Sequence, residues 1–341
     1  MSFFTFEQIT YLVDAYSRDS CEHTFLDYGL FMTLFPRLIA GPITRPREIL
    51  PQLTRTSTYV VSVTNLNTGL FIFAVGLFKK VMLADAFSPL VARIFDRGGA
   101  VPFTDAWGAT LAFALQIYFD FSGYSDMAIG LALLFNLRLP ENFNSPYQAR
   151  SIIDFWRRWH MTLSSFLRDY LYIPLGGNRK GTVRRYTNIL ITMGLGGLWH
   201  GASWTFVLWG ALHGAYLTVN HLWQRTGIKL PGAVAWTSTF VAVMVGWVFF
   251  RAQSLDTAQR ILAGMVGLGG FEWHRSAQAL GGKEYRLIAL GLCLVLFCPN
   301  RQTVMEWEWT SDRVYALVFT ALAALPLLRL GDPAPFVYFQ F

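Results

Sequence analysis

The chain has 341 residues and a formal net charge of +7, from 28 Lys and Arg against 21 Asp and Glu. Only 14% of its residues are charged, where ordinary soluble domains carry about 25%. With 53% hydrophobic residues, too little charge remains to cover a soluble exterior, and disorder is excluded. The balance points to a polytopic membrane protein.

Met1 leads directly into Phe3, Phe4 and Phe6, then Glu7 and Asp14. A basic n-region, an apolar h-region and a small-residue cleavage site are all missing, so no secretory signal is predicted. So abrupt a start to a multi-span protein reads as a fragment or a late start codon. Hydropathy predicts helices at about 25–41, 65–84, 104–119, 122–137, 187–203, 205–224, 233–250, 285–299 and 312–330, each near the roughly 20 residues a bilayer core requires. The pair at 104–137 is expected to be split by Asp120-Phe121-Ser122-Gly123-Tyr124-Ser125-Asp126. Carboxylates there are costly against lipid and are expected to face protein or a cavity.

The stretch 151–173 alternates aromatic and charged residues at helical spacing, and is predicted as one amphipathic helix at the interface or along a polar cavity. The segment 176–185 has four basic residues and no acid, which places it on the cytoplasmic side, with Arg225 and Lys229 beside it. Cys21, Cys293 and Cys298 form no metal or disulfide pattern and are expected to be buried. No repeat or linker divides the chain, so 1–341 is read as one helical domain.

Among the six histidines, His200 stands out. It closes Gly194-Leu195-Gly196-Gly197-Leu198-Trp199-His200-Gly201 inside an apolar span, where an ionisable group marks a functional site. The glycines would let another backbone approach closely. His160 follows Asp154-Phe155-Trp156-Arg157-Arg158-Trp159. His213 and His221 share one predicted span and read as packing residues. No H-E-x-x-H, nucleophile elbow, phosphate loop or dinucleotide fingerprint occurs, so no metal is predicted.

The run 154–164, followed by Gly197-Leu198-Trp199-His200-Gly201, resembles the membrane-bound O-acyltransferase (MBOAT) family. Leu38-Ile39-Ala40-Gly41-Pro42-Ile43 and the run 120–126 are similar to motifs of its bacterial polysaccharide branch. The resemblance covers essentially the whole chain. It implies an all-α integral membrane acyltransferase with a central tunnel, about eight or nine spans and further interfacial helices. It also implies that the family's amino-terminal spans are missing ahead of Ser2.

By that resemblance His200 is catalytic and His160 shares its tunnel, orienting a carbonyl or stabilising its oxyanion. Pro335-Phe336-Val337-Tyr338-Phe339-Gln340-Phe341 is similar to a terminal motif in which the tyrosine relays the acyl group. Asp120, Tyr124, Asp126, Asp154, Trp156, Arg157, Arg158 and Trp199 are expected to line the tunnel or hold its walls. The implied donor is a thioester, acetyl-CoA or an acyl-carrier protein. The implied partner is a periplasmic SGNH-type polysaccharide O-acetyltransferase with its accessory subunits, in the bacterial inner membrane, and the implied acceptor is an alginate-like exopolysaccharide. Three rivals remain: transfer of D-alanyl or another acyl group to a different polymer, a non-enzymatic transporter built on broken helices, and a structural subunit left catalytically dead by its missing helices.

Overall fold

The computed structural model describes residues 2–17, 24–37, 41–271, 280–300, 312–329, 331 and 337. Every regular element among them is helical. In chain order these are α1 (Ser2–Tyr16), α2 (Phe25–Met32), α3 (Pro46–Leu53), α4 (Val63–Phe78), α5 (Asp85–Phe95), α6 (Phe103–Leu134), α7 (Ile152–Trp156), α8 (Met161–Leu167), α9 (Thr182–His200), α10 (Trp204–Thr226), α11 (Gly232–Arg251), α12 (Leu255–Met265), α13 (Gly282–Phe297) and α14 (Asp312–Leu327). Widened π turns, Lys79–Ala84 and Arg168–Tyr172, join α4 to α5 and extend α8.

The organising element is α6, 32 residues long and buried over most of its length. The expectation of two spans broken at Asp120–Asp126 is corrected here: the helix runs through. Its polar segment does not need to unwind because neighbours neutralise it. Lys80 Nζ lies 2.7 Å from Asp120 Oδ1, and Lys79 Nζ lies 2.6 Å from Asp126 Oδ2.

Those contacts depend on how closely α4 approaches α6. A Cβ on Gly76 would stand 2.5 Å from Gly123 O, and one on Gly123 would stand 2.7 Å from Gly76 O. Glycine on both helices lets the backbones touch. The π turn then matters. Lys79 and Lys80 are sequence neighbours, yet their partners lie six residues apart on α6, about 9 Å at 1.5 Å per residue.

The stretch 151–173 is also not one helix. It breaks into α7, a turn, α8 and a π turn, with His160 in the left-handed region at φ 42°. Met161 N–H donates to Asn142 O and Asn144 N–H to Arg158 O, so the backbone of the preceding loop holds the turn open.

One helix among the described residues, α11, is both long and apolar enough to cross a bilayer. Others of comparable or greater length, α6, α9 and α10, carry the carboxylates, histidines and arginines that lower their apolar average. The outward faces of α9 and α10 expose Leu190, Leu195, Leu198, Leu208, Val219 and Leu222, a surface suited to lipid. Arg225 Nη2 lies 3.5 Å from Thr182 Oγ1, so the basic segment and the end of α10 share one side, as expected. Cys293 and Cys298 are exposed, not buried. On α13 the inward face is Ile288, Gly291 and Val295, and Cys293 falls on the opposite side.

Candidate active site

His160 is 1% exposed, and its orientation is set by a small polar network. Asn142 Nδ2 donates to Ser125 Oγ at 3.1 Å, which turns Asn142 Oδ1 toward α8. That oxygen accepts from Thr162 Oγ1 at 2.9 Å and from His160 Nδ1 at 3.1 Å. Thr162 Oγ1 in turn accepts from Ile43 N–H at 3.1 Å. With Oδ1 as acceptor, neutral His160 carries its proton on Nδ1 and keeps a lone pair on Nε2. Nε2 is buried with no hydrogen-bond partner among the described residues. Such an imidazole accepts from a hydroxyl. It does not donate to an oxyanion from Nε2.

His200 ends α9 at the tip of the α9–α10 hairpin. A Cβ on Gly197 would stand 2.2 Å from Phe206 O, and one on Gly210 would stand 2.2 Å from Met193 O. The glycines of the motif therefore serve the close backbone approach that the sequence suggested. His200 is partly exposed while its Nδ1 is sealed from solvent. Its ring meets Trp199 at 4.7 Å, Phe250 at 5.0 Å and Trp209 at 5.2 Å between centroids.

The surroundings of the two histidines meet at Phe3 and Trp199. Phe3 of α1 links their surroundings, stacking on His160 at 6.2 Å and meeting Trp199 edge-on at 5.3 Å. α1 is fastened by a buried Glu7–Arg37 pair and by Tyr170 OH donating to Asp14 Oδ1 at 2.7 Å. On the far side of Trp209 lies His213, 4.9 Å away and 1% exposed. The indole nitrogens of Trp156, Trp199 and Trp209 and both ring nitrogens of His213 are buried without partners among the described residues. Buried donors are seldom left unmet, and these gather in one aromatic cage around Trp209 and His200. Sequence reasoning singled out neither Asn142 nor Trp209. Neither sits in a motif, and only the fold brings them to the histidines.

The other expected site residues divide. Asp120 and Asp126 pair with lysines on the π turn, as described above, and Tyr124 is partly buried against the main core. Ser151 caps α7 by accepting the Asp154 N–H at 3.0 Å, and the Asp154 carboxylate pairs with Arg158 at 2.8 Å. Both line a cleft of about 700 Å³ with Gln148, Arg150 and Trp236. Phe155 and Trp156, on the same short helix, face His213 instead. Arg157 is exposed. Asp169 is held by Arg45 and Arg168. His221 is tied to Arg185 at 2.9 Å, away from the cage. Tyr338 lies outside the described residues, but Val337 is described: it is 2% exposed, and its N–H donates to Asp120 Oδ2 at 3.0 Å.

The model of the MBOAT, membrane-bound O-acyltransferase, family matches residues 2–255, a stretch that contains both histidines. The chain belongs to the membrane-bound O-acyltransferase family. Among MBOAT relatives, it is 45% identical to the peptidoglycan O-acetyltransferase of Helicobacter pylori, over 79% of this chain and 57% of that protein. It is 40% identical to the probable alginate O-acetylase AlgI of Pseudomonas putida, over the whole of this chain and 74% of that protein. A more distant likeness, 27% identical, is to the teichoic acid D-alanyltransferase of Streptococcus thermophilus, over 73% of this chain and 67% of that protein. The chain thus spans between about half and three quarters of the length of the curated MBOAT relatives it matches.

Proposed function

We propose that this chain catalyses O-acyl transfer, passing an acetyl group from a cytoplasmic thioester, acetyl-CoA or an acyl-carrier protein, across the bacterial inner membrane for O-acetylation of an alginate-like exopolysaccharide. The observation that carries the reading is that Phe3 joins His160, with its open Nε2, to Trp199 beside His200, where buried indole donors stand without partners among the described residues. His160 is locked with an open lone pair on Nε2. Acyl transfer needs an acceptor for a hydroxyl proton and donors for a carbonyl oxygen, and the cage offers both.

In the first step the Tyr338 oxygen attacks the thioester carbonyl while His200 takes the phenolic proton. The carbonyl carbon then expels the thiolate, the C–S bond breaks, and the thiolate leaves with the proton from His200. The product is an acetyl ester on Tyr338 and a free thiol. His160, an acceptor at Nε2, would take the proton of the acceptor hydroxyl when the ester is later handed on. Trp199 and Trp209, which flank His200, would supply N–H groups for the oxyanion. The tunnel through about eight or nine spans would start at the cleft beside Arg150 and Arg158, whose guanidinium groups suit the phosphates of the donor. The ester is then handed to a periplasmic SGNH-type O-acetyltransferase.

The transporter alternative loses its support, because α6 is continuous and its carboxylates are paired. The choice of polymer is open to a second reading: the 45% identity to the peptidoglycan O-acetyltransferase stands within the 40–46% shared with the alginate proteins. Transfer assayed in the native membrane with its partner, using wild type and His200→Ala, tests the enzyme reading. Loss of transfer with unchanged membrane insertion supports it, and unchanged transfer overturns it. The mass added to the carboxyl-terminal peptide separates acetyl from D-alanyl, and supplying each polymer in turn identifies the acceptor.

A further inference from the structure

The geometry points to Asp120 as the dock for the carboxyl-terminal segment, a positioning residue that grips Val337 so that its covalent neighbour Tyr338 is presented to the histidines. This rests on the relay reading above.

Asp120 is fully buried. Lys80 Nζ stands 2.7 Å from its Oδ1 and 2.7 Å from Asp85 Oδ1, so one carboxylate oxygen is engaged by the lysine. The other, Oδ2, accepts the backbone N–H of Val337, 217 residues away in the chain. A buried carboxylate gripping a main-chain N–H makes one of the stronger classes of hydrogen bond, and it reads no side chain. It fixes the path of the tail whatever residue occupies 337. Val337 also packs into the main core.

The approach is built for the same purpose. α14 packs on α4 and the π turn. Just past it, Leu328, Arg329 and Gly331 line a cleft of about 390 Å³ with Val81, Asp85 and Ala86. The tail therefore passes Asp85, one end of the Lys80 bridge, before Val337 meets Asp120 at the other. The next residue on α6, Phe121, meets the His160 ring edge-on at 4.6 Å. The dock and the site share one turn of one helix, and Lys80, which pairs with Asp120 on α6, also braces the dock.

Val337→Pro tests this without disturbing the buried ion pair, because proline removes the N–H and nothing else from the bond. Val337→Ala keeps the N–H and serves as the control. The full chains, isolated from their membranes, are treated with a carboxypeptidase, and intact mass follows loss of residues 338–341. Wild type and Val337→Ala are expected to resist, and Val337→Pro to lose the tail roughly tenfold faster or more. Equal rates overturn the dock. Asp120→Asn, which keeps a neutral acceptor, is expected to fall between them, and a rate no higher than wild type counts against the dock as well. Ester on Tyr338, measured on the same chains from cells, is expected to drop in Val337→Pro and persist in Val337→Ala. Faster tail release with transfer intact in Val337→Pro leaves the dock standing and removes the relay.

Discussion

Asn142 Oδ1 sits 3.1 Å from His160 Nδ1, and this one bond decides which face of the imidazole is basic. The amide is held from turning over because Oδ1 also accepts the backbone N–H of Thr162 at 3.4 Å, a group that can only donate. His160 therefore presents a lone pair at Nε2. Expected from the family resemblance as a possible oxyanion stabiliser, it suits a hydroxyl better, and the stabilising donors must come from elsewhere in the cage.

Asn142→Ala removes that constraint. Transfer is expected to fall by roughly 10- to 1000-fold, since the imidazole can then rotate or change tautomer. Stability is expected to fall by about 1–3 kcal/mol, because buried partners lose their acceptor. Transfer rate and thermal unfolding measured on one preparation check both, and full activity with lost stability would show that Asn142 is structural only.

Trp209→Phe separates packing from donation. Trp209 is 2% exposed and its Nε1 has no partner among the described residues. Phenylalanine keeps an aromatic ring against His200 and His213 while deleting the donor. The expected outcome is a fall in kcat of roughly 10- to 100-fold. The smaller ring also leaves a cavity, so a stability loss of about 1–3 kcal/mol is expected, and kcat is measured per folded protein. A stability loss with unchanged kcat would exclude the donor role.

The glycines beside His200 are not equivalent. Gly197→Ala pushes a methyl group onto the backbone of α10, 2.2 Å from Phe206 O. A cost of about 1–3 kcal/mol or more is expected, with loss of transfer as the hairpin tip shifts. Gly194→Ala meets nothing within 4 Å and is expected to stabilise α9 by roughly 0.5–1 kcal/mol. Unfolding curves of the two variants in the same detergent make the comparison, and similar behaviour would contradict the packing described.

Lys80→Met and Lys79→Met should differ in severity. Lys80 faces a carboxylate side chain that is 0% exposed, while the partner of Lys79 is 9% exposed. Removing one member of a buried pair strands the other charge at a cost of about 3–5 kcal/mol. Lys80→Met is therefore expected to lower expression and thermal stability more than Lys79→Met, as read by the yield of folded protein and its unfolding midpoint.

Much of this was legible before any coordinates. Trp156, His160, Trp199 and His200 stand in long motifs, and the sparse charge excluded a soluble enzyme. The amphipathic reading of 151–173 recognised the right residues but the wrong continuity, because periodicity is blind to a left-handed residue such as His160. Asn142 was invisible, since it lies 18 residues upstream in an irregular stretch with no pattern to mark it. Asp120 and Asp126 read as helix breakers because their partners, Lys79 and Lys80, stand about forty residues earlier, at the end of another predicted span.

Composition, local periodicity and motif spacing are properties of the chain alone. They settled that the protein is helical, membrane-like and built around two tryptophan–histidine motifs. The continuity of α6, the tautomer of His160, the pairing of buried charges and the contact of Val337 with Asp120 were decided only by tertiary structure. Each depends on the free energy of a polar group in a low-dielectric interior, and that free energy is set by partners far away in sequence.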